Sequence, residues 1–260
     1  ASTGEFYGVT TDGGASNGVV YKITTGGTLS VLHSFNVTDG SKPAGGIIQA
    51  SDGNFYGTTV QGGGGYGVVF KMTSGGTVTT LYTFNVTNGS HPGRLLQATD
   101  GNFYGITTDG GAYGYGEVYK LTSGGALTVL HSFNSTNGTQ PAALIQASDG
   151  NLYGTTIAGG AYGRGTIFKI TTGGSLTTLY NFNISDGYNP TALSQGSDGY
   201  LYGSTLAGGA YGYGEIFRIT TGGSLTVLYS FHSSDGAQPG GVFLEPVINL
   251  DRVACIEWRA

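Results

Sequence analysis

Five prolines, Pro43, Pro92, Pro141, Pro190 and Pro239, follow one another at intervals of 49 residues. Nothing else restricts the fold of this chain so much, because a fixed period means one structural unit used again and again. The tyrosines Tyr7, Tyr56, Tyr104, Tyr153 and Tyr202 and the phenylalanines Phe35, Phe84, Phe133, Phe182 and Phe231 keep the same step to within one residue. The stretch from Pro92 to Phe133 shows a single unit: four short apolar runs, each ended by a turn that carries glycine. A period of about 40 to 50 residues with about four strands per unit is the signature of propeller blades.

Composition agrees. Among 260 residues there are 51 glycines, 18 tyrosines and 12 phenylalanines, so strand formers and turns dominate over helix formers. No segment repeats its apolar residues at helical spacing, and no apolar run approaches the roughly 18 residues of a membrane span. The expected fold is therefore all-β: a five-bladed β-propeller with four antiparallel strands per blade, forming one domain over residues 1–245. The net charge is −5, and the ten Lys and Arg are scattered, mostly one per repeat at the position of Lys22, Lys71, Lys120, Lys169 and Arg218. Without a basic stripe, nucleic acid is an unfavoured partner. The single cysteine, Cys255, excludes an intrachain disulfide and says little about compartment.

Taken in order, the chain opens mid-repeat at Glu5-Phe6-Tyr7 without a leader, which reads as a processed or truncated form. Within a repeat the inner strand is Gly46–Gln49 or Arg94–Gln97, followed by an Asp-Gly turn that signals a hairpin. The second strand, Asn54–Thr59, carries a glycine expected to admit a close neighbour. A glycine loop (109–116), a third strand (117–122), a Gly-Gly turn, an outer strand (127–133) and a polar loop (134–140) complete the unit. Alternating strand direction puts the glycine loop and the polar loop on one face and the two tight turns on the other. The segment 240–245 matches 44–49 and is expected to complete the first blade, closing the ring and removing its open edge. The residues 246–260 leave the pattern, as a closing tail or an unrelated remnant.

These motifs, DG-N-[FL]-Y-G-T-T, GG-x-Y-G-x-G-x-[VI]-F-K-[IL]-T and G-G-[ST]-L-T-x-L-Y-x-F-N, resemble the GloVer-type tandem-repeat family over about residues 4–245. The resemblance implies an exported bacterial surface protein, secreted or held at the cell surface, and supplies no catalytic residues. This chain differs from the family's pattern in its tail and in showing no anchor segment.

The candidate site residues fall into three sets. On the loop face, Asp39, Asn88, Asn137, Asp186 and Asp235 stand before a glycine, and Tyr66, Tyr113, Tyr115, Tyr162, Tyr211 and Tyr213 lie on the glycine loops. Aromatic rings beside carboxylates and amides suit sugars; the competing reading is turn chemistry and packing. On the inner strands, Gln49, Gln97, Gln146 and Gln195 share one register with Glu245, a set that would line a central channel or satisfy one another as a polar plug. Glu245 breaks that symmetry, and with His91 it is the candidate catalytic group. His33 and His131 occupy the register of Tyr82, Tyr180 and Tyr229. Triplets of the form N-x-[ST] at Asn36, Asn85, Asn134 and Asn183 read as a repeated turn in which the side chains bond the local backbone.

The leading functional reading is an extracellular lectin-like propeller with repeated loop-face sites for carbohydrate or another small polar ligand, where weak sites gain avidity on a polymer. The alternative is a metal-dependent hydrolase of esters, lactones or phosphoesters, with calcium or zinc on the axis at the channel mouth. A structural surface repeat without a small ligand is the third. The chain is expected to be a monomer, with a strand-swapped dimer as the other possibility.

Overall fold

The computed structural model describes residues 4–14, 16–43 and 45–243, together with the backbone of 254–255. The chain divides into two compact units, residues 1–132 and 133–260. The first unit holds three antiparallel sheets. Sheet one has three strands, Phe6–Thr10, Val19–Ile23 and Leu29–Ser34, in that order. Sheet two has four: Ile47–Gln49, Phe55–Thr59, Val68–Met72 and Val78–Thr83. In sheet three the inner strand is split into Ser90–Pro92 and Leu96–Gln97, both paired with Phe103–Asp109, and Glu117–Leu121 and Leu127–Ser132 follow outward.

The second unit repeats the plan. Sheet four runs Thr139–Gln146, Leu152–Ala158, Thr166–Ile170 and Leu176–Asn181. Sheet five again splits its inner strand, Tyr188–Pro190 and Ser194–Gln195, before Leu201–Ala207, Glu215–Ile219 and Leu225–Ser230. Among the described residues the only helical pieces are two single 3-10 turns, Val86–Asn88 and Ile184–Asp186. Val242–Phe243 pairs with Ala254–Cys255. Leu244 and Glu245, part of the segment expected to complete the first blade, lie outside the described residues.

The sequence period survives as geometry. In every sheet the last two strands slip by one residue at the same place, between Val20 and Tyr21, Val69 and Phe70, Val118 and Tyr119, Ile167 and Phe168, and Ile216 and Phe217. A bulge there bends the strand and raises the twist. The second-strand glycine does what its position predicts: a Cβ on Gly57 would lie 2.6 Å from Cζ of Phe70, its cross-strand partner. The aromatic ring crosses the glycine, and the two strands stay paired.

Within each unit the core lies between neighbouring sheets, and in the first unit Phe55–Thr59, in the middle sheet, is buried at every position. Tyr7 stacks on Phe55 with ring centroids 4.3 Å apart, and Tyr56 stacks on Phe103 at 4.1 Å. Phe35 meets Phe70 at 5.1 Å and Phe182 meets Phe217 at 5.4 Å. These offset and tilted contacts suit the ring quadrupole and add to the apolar area removed from water.

Candidate functional site

The long loops are tied together, between neighbouring repeats and within each, before any side chain is considered. The glycine-loop amides of Gly63, Gly111, Gly160 and Gly209 donate to the carbonyls of Val37, Val86, Ser135 and Ile184 in the polar loops, at 2.9–3.0 Å. A second tie runs to the residue before each proline. The amides of Lys42, His91, Asn189 and Gln238 donate to the carbonyls of Asn17, Tyr66, Arg164 and Tyr213 in the preceding glycine loop. These four residues and Gln140, at the same register, lie in the left-handed region, with φ of 53–56°. Non-glycine residues rarely adopt this conformation, and the strain is held by the surrounding bonds. Five polar side chains are thereby mounted on the loop face; sequence reasoning singled out only His91 among them, because the signal is a backbone angle.

The polar loops are closed turns. Asn36 N–H donates to Asp39 Oδ1 at 2.8 Å, and the amides of Thr38 and Asp39 donate to Asn36 Oδ1. Asn85 with Asn88, and Asn183 with Asp186, form the same reciprocal capping box. Asn134 N–H donates to Asn137 Oδ1 at 2.9 Å and His232 N–H to Asp235 Oδ1 at 2.9 Å. The remaining oxygen or amide turns to the outer strand: His33 lies 3.0 Å from Asp39, Asn88 bonds Tyr82, and the hydroxyls of Tyr180 and Tyr229 donate to Asp186 and Asp235. The bond from Tyr229 is the main cause holding Asp235 below its ordinary value. Asp39, Asn88, Asn137, Asp186 and Asp235 thus shape the loops, and the N-x-[ST] triplets are the turns the sequence suggested.

The glycine-loop tyrosines stand outside this network. Tyr66, Tyr113, Tyr115, Tyr162, Tyr211 and Tyr213 are 36–63 % exposed. Tyr211 rests edge-on against His232, ring centroids 5.5 Å apart.

The glutamines are spent at the opposite, tight-turn face. Gln49, Gln97, Gln146 and Gln195 donate to the carbonyls of Gly53, Gly101, Gly150 and Gly199 in their own Asp-Gly turns. Gln97 Oε1 also accepts from Ser51 N–H at 2.9 Å, and Gln195 Oε1 from Ser148 N–H at 2.7 Å, so each fastens its turn to that of the preceding sheet. This is the satisfied polar arrangement rather than an open set of ligands. Their fifth member, Glu245, lies outside the described residues.

His91 has a partner the sequence did not reveal. Its Nδ1 lies 3.2 Å from Asp109 Oδ2, which also accepts from Thr108 Oγ1 at 3.1 Å. Both members of the pair are about half exposed. At the register of Asp109 the other repeats carry Asp12, Gln61, Ala158 and Ala207. At that of His91 they carry Lys42, Gln140, Asn189 and Gln238, so only the third repeat joins an imidazole to a carboxylate here.

Two buried acids were also missed. Glu117 and Glu215 are 1 % and 2 % exposed at a register held elsewhere by Val19, Val68 and Thr166. Oε1 of each accepts from Ser132 or Ser230 at 2.7 Å, while Oε2 of each is buried without a hydrogen-bond partner. Burial pushes the Glu117 carboxyl up, against the opposing bonds from Ser132 and the Ala112 amide. Glu215 reaches the amide of Ala210 at 3.4 Å, so these acids brace the start of the glycine loop from beneath. Among the described residues no group of three or more His, Cys, Asp or Glu side chains is placed to hold a metal ion.

Solved structures similar to this chain include a lyase and several lactonases. A catalytically inactive virginiamycin B lyase from Staphylococcus aureus, solved with quinupristin, superposes with a TM-score of 0.69 at 20 % identity, over 94 % of this chain and 71 % of its own. The periplasmic gluconolactonase of Pseudomonas aeruginosa gives 0.59 at 16 % identity, over 87 % and 68 %. A gluconolactonase from Xanthomonas campestris gives 0.53 at 16 % identity, over 86 % and 70 %. At such identities the likeness establishes the β-propeller type of fold and nothing of activity. No curated protein matches the chain significantly by sequence. The repeat itself is recognised: residues 1–139 and 91–249 match the Gloeobacter/Verrucomicrobia repeat, and the chain belongs to that family.

Proposed function

We propose that this is a secreted or cell-surface bacterial binding protein, its five repeats forming five propeller blades whose loop face takes carbohydrate. The observation that carries this reading is a contrast among tyrosines. Tyr56, Tyr104, Tyr119 and Tyr153 are fully buried, whereas the six on the glycine loops stay exposed beside braced backbone. An exposed tyrosine offers an apolar face to the CH side of a sugar and a hydroxyl to its edge. Polar contacts come from the pre-proline side chains, since the loop carboxylates are engaged in their own turns. Binding of a soluble polysaccharide by the chain, weakened about tenfold by Tyr162→Ala or Tyr211→Ala, is the expected result. No binding to any polysaccharide of a broad panel at millimolar concentration would overturn it and favour a structural repeat.

A second reading, hydrolysis of an ester or lactone, is favoured by the His91–Asp109 pair. With Nδ1–H donated to Asp109, Nε2 is the acceptor for a proton of the attacking water. That water's oxygen bonds to the acyl carbon, the acyl C–O bond breaks, and the imidazolium returns its proton to the leaving oxygen. The lactonases that share the fold lend this only analogy. The metal-dependent form of the reading turns on Glu245. Turnover of sugar lactones abolished by His91→Ala, with polysaccharide binding retained, would separate the two activities.

A further inference from the structure

The first four polar loops share a hydroxyl that holds a turn. Oγ1 of Thr38, Thr87 and Thr136 and Oγ of Ser185 donate to Oδ1 of Asn36, Asn85, Asn134 and Asn183, two residues back. The amide of the same residue donates to the same oxygen. The asparagine takes up both groups. A hydroxyl bonded to an amide oxygen has no base beside it to remove its proton, so it stays a weak nucleophile.

The fifth loop keeps the hydroxyl, as Ser234, and puts His232 where the asparagine stands. Ser234 Oγ lies 2.7 Å from His232 Nδ1. On the other side of the ring, Nε2 lies 3.0 Å from Asp235 Oδ2. Asp235 keeps its place in the turn: Oδ1 accepts from His232 N–H at 2.9 Å, and Oδ2 accepts from the Tyr229 hydroxyl. The Tyr229 bond is the main cause holding this carboxyl below its ordinary value, so it is ionised at neutral pH and can only accept. The tautomer it favours carries the ring proton on Nε2 and leaves Nδ1 bare toward Ser234. Tyr211 stands edge-on against the ring and limits its swing.

Serine, imidazole and carboxylate thus follow one another in contact. The first loop shows what is missing elsewhere: His33 also lies 3.0 Å from a carboxylate, Asp39, but the hydroxyl of Thr38 is bonded to Asn36. The exchange of asparagine for His232 has a second effect. It removes the side-chain oxygen that accepts the amides of Thr38, Thr87, Thr136 and Ser185, and so frees the Ser234 amide from that bond. Ser234 is exposed and the His232 ring about half exposed, so both are within reach of a ligand.

We propose that Ser234, His232 and Asp235 form a covalent ester-cleaving site, specific for short acyl groups such as acetyl carried on an alcohol. Ser234 Oγ attacks the acyl carbon as its proton passes to His232 Nδ1, and Asp235 stabilises the imidazolium. The acyl C–O bond then breaks, and Nδ1 returns the proton to the leaving alcohol oxygen. Water attacks the acyl-serine with Nδ1 again as base, the carboxylic acid departs, and Ser234 regains its proton. The Ser234 amide is the donor for the developing oxyanion. An open site of this kind accepts an alcohol of any size but has no enclosed pocket for a long acyl chain. It uses neither His91 nor Asp109, and it stands whether or not the loop face binds polysaccharide.

The test is labelling with an alkyl fluorophosphonate, which phosphonylates an activated serine with loss of fluoride, read by peptide mass spectrometry. Wild type takes up about one label per chain, at Ser234. Ser185, the same hydroxyl beside Asn183, is the internal control and stays unlabelled. His232→Asn gives the fifth loop the residue of the other four, so the turn is kept; this variant and Ser234→Ala lose the label at an unchanged melting temperature. Asp235→Asn, which places there the residue found at Asn88 and Asn137, also keeps the turn. With p-nitrophenyl acetate it lowers kcat about tenfold or more and leaves KM unchanged, as a positioning residue should. No label on wild type, a label on Ser185 as readily as on Ser234, or a label that survives His232→Asn overturns the proposal. So does an Asp235→Asn variant with the kcat of wild type.

Discussion

At the scale of single residues, the acids of this chain are tuned in opposite directions. Asp100 accepts from the Asn102 side chain and backbone, from the Tyr104 hydroxyl at 2.8 Å and from Lys120 at 3.4 Å. Burial pushes its carboxyl up, yet these donors outweigh it and bring it down from 3.8 to about 2. A depressed acid stabilises the fold above its ordinary value and loses that contribution as pH falls toward 2. Glu117 does the reverse: its contribution is present below its ordinary 4.5 and is lost as pH rises through the raised value. We expect the melting temperature of Glu117→Gln, relative to wild type, to climb with pH from about 4.5 upward. A difference that does not change with pH would remove ionisation of Glu117 from the stability of the fold. The sequence showed the Asp-Gly turn, but not that its aspartate gathers a tyrosine and a lysine, since Lys120 arrives from a neighbouring strand 20 residues on.

At the scale of elements, turns and loops were legible because glycine fixes them, while their environment was not. Gly67 and Gly101 both have positive φ, of 93° and 80°. A Cβ on Gly101 would meet open space, whereas on Gly67 it would lie 2.6 Å from Cδ of Pro92. Gly101→Ala is expected to cost about 1–2 kcal/mol, the backbone cost of the left-handed region alone. Gly67→Ala should cost clearly more, because the proline that marks the repeat packs against it and cannot give way. Urea unfolding of both variants checks the order. The polar loops tell the same story: the motif was plain in the sequence, and the reason it closes upon itself, a capping box beneath Tyr180 or Tyr229, needed the outer strand to be in place.

At the scale of the whole molecule, the same side chain is worth different amounts in different repeats. Phe182 is fully buried against Phe217, while Phe231, at the same register, is half-buried. Phe182→Ala is expected to cost about 3–5 kcal/mol and Phe231→Ala less than half as much, read by chemical unfolding. Equal losses would mean that Phe231 is covered in solution. Local information alone determined the period, the all-β character, the tight turns, the strand order and the two loops at one end of each sheet. It did so because a repeat writes its turns, strands and apolar register again in each copy, and these depend on neighbours close along the chain. Only the tertiary structure decided which polar groups remain available. It turned the loop carboxylates and the glutamines inward to backbone amides and carbonyls, left the glycine-loop tyrosines exposed, and joined His91 to Asp109 across 18 residues. Hydrogen-bond partners and burial are set by which strands and loops meet in space, and no single repeat contains that information.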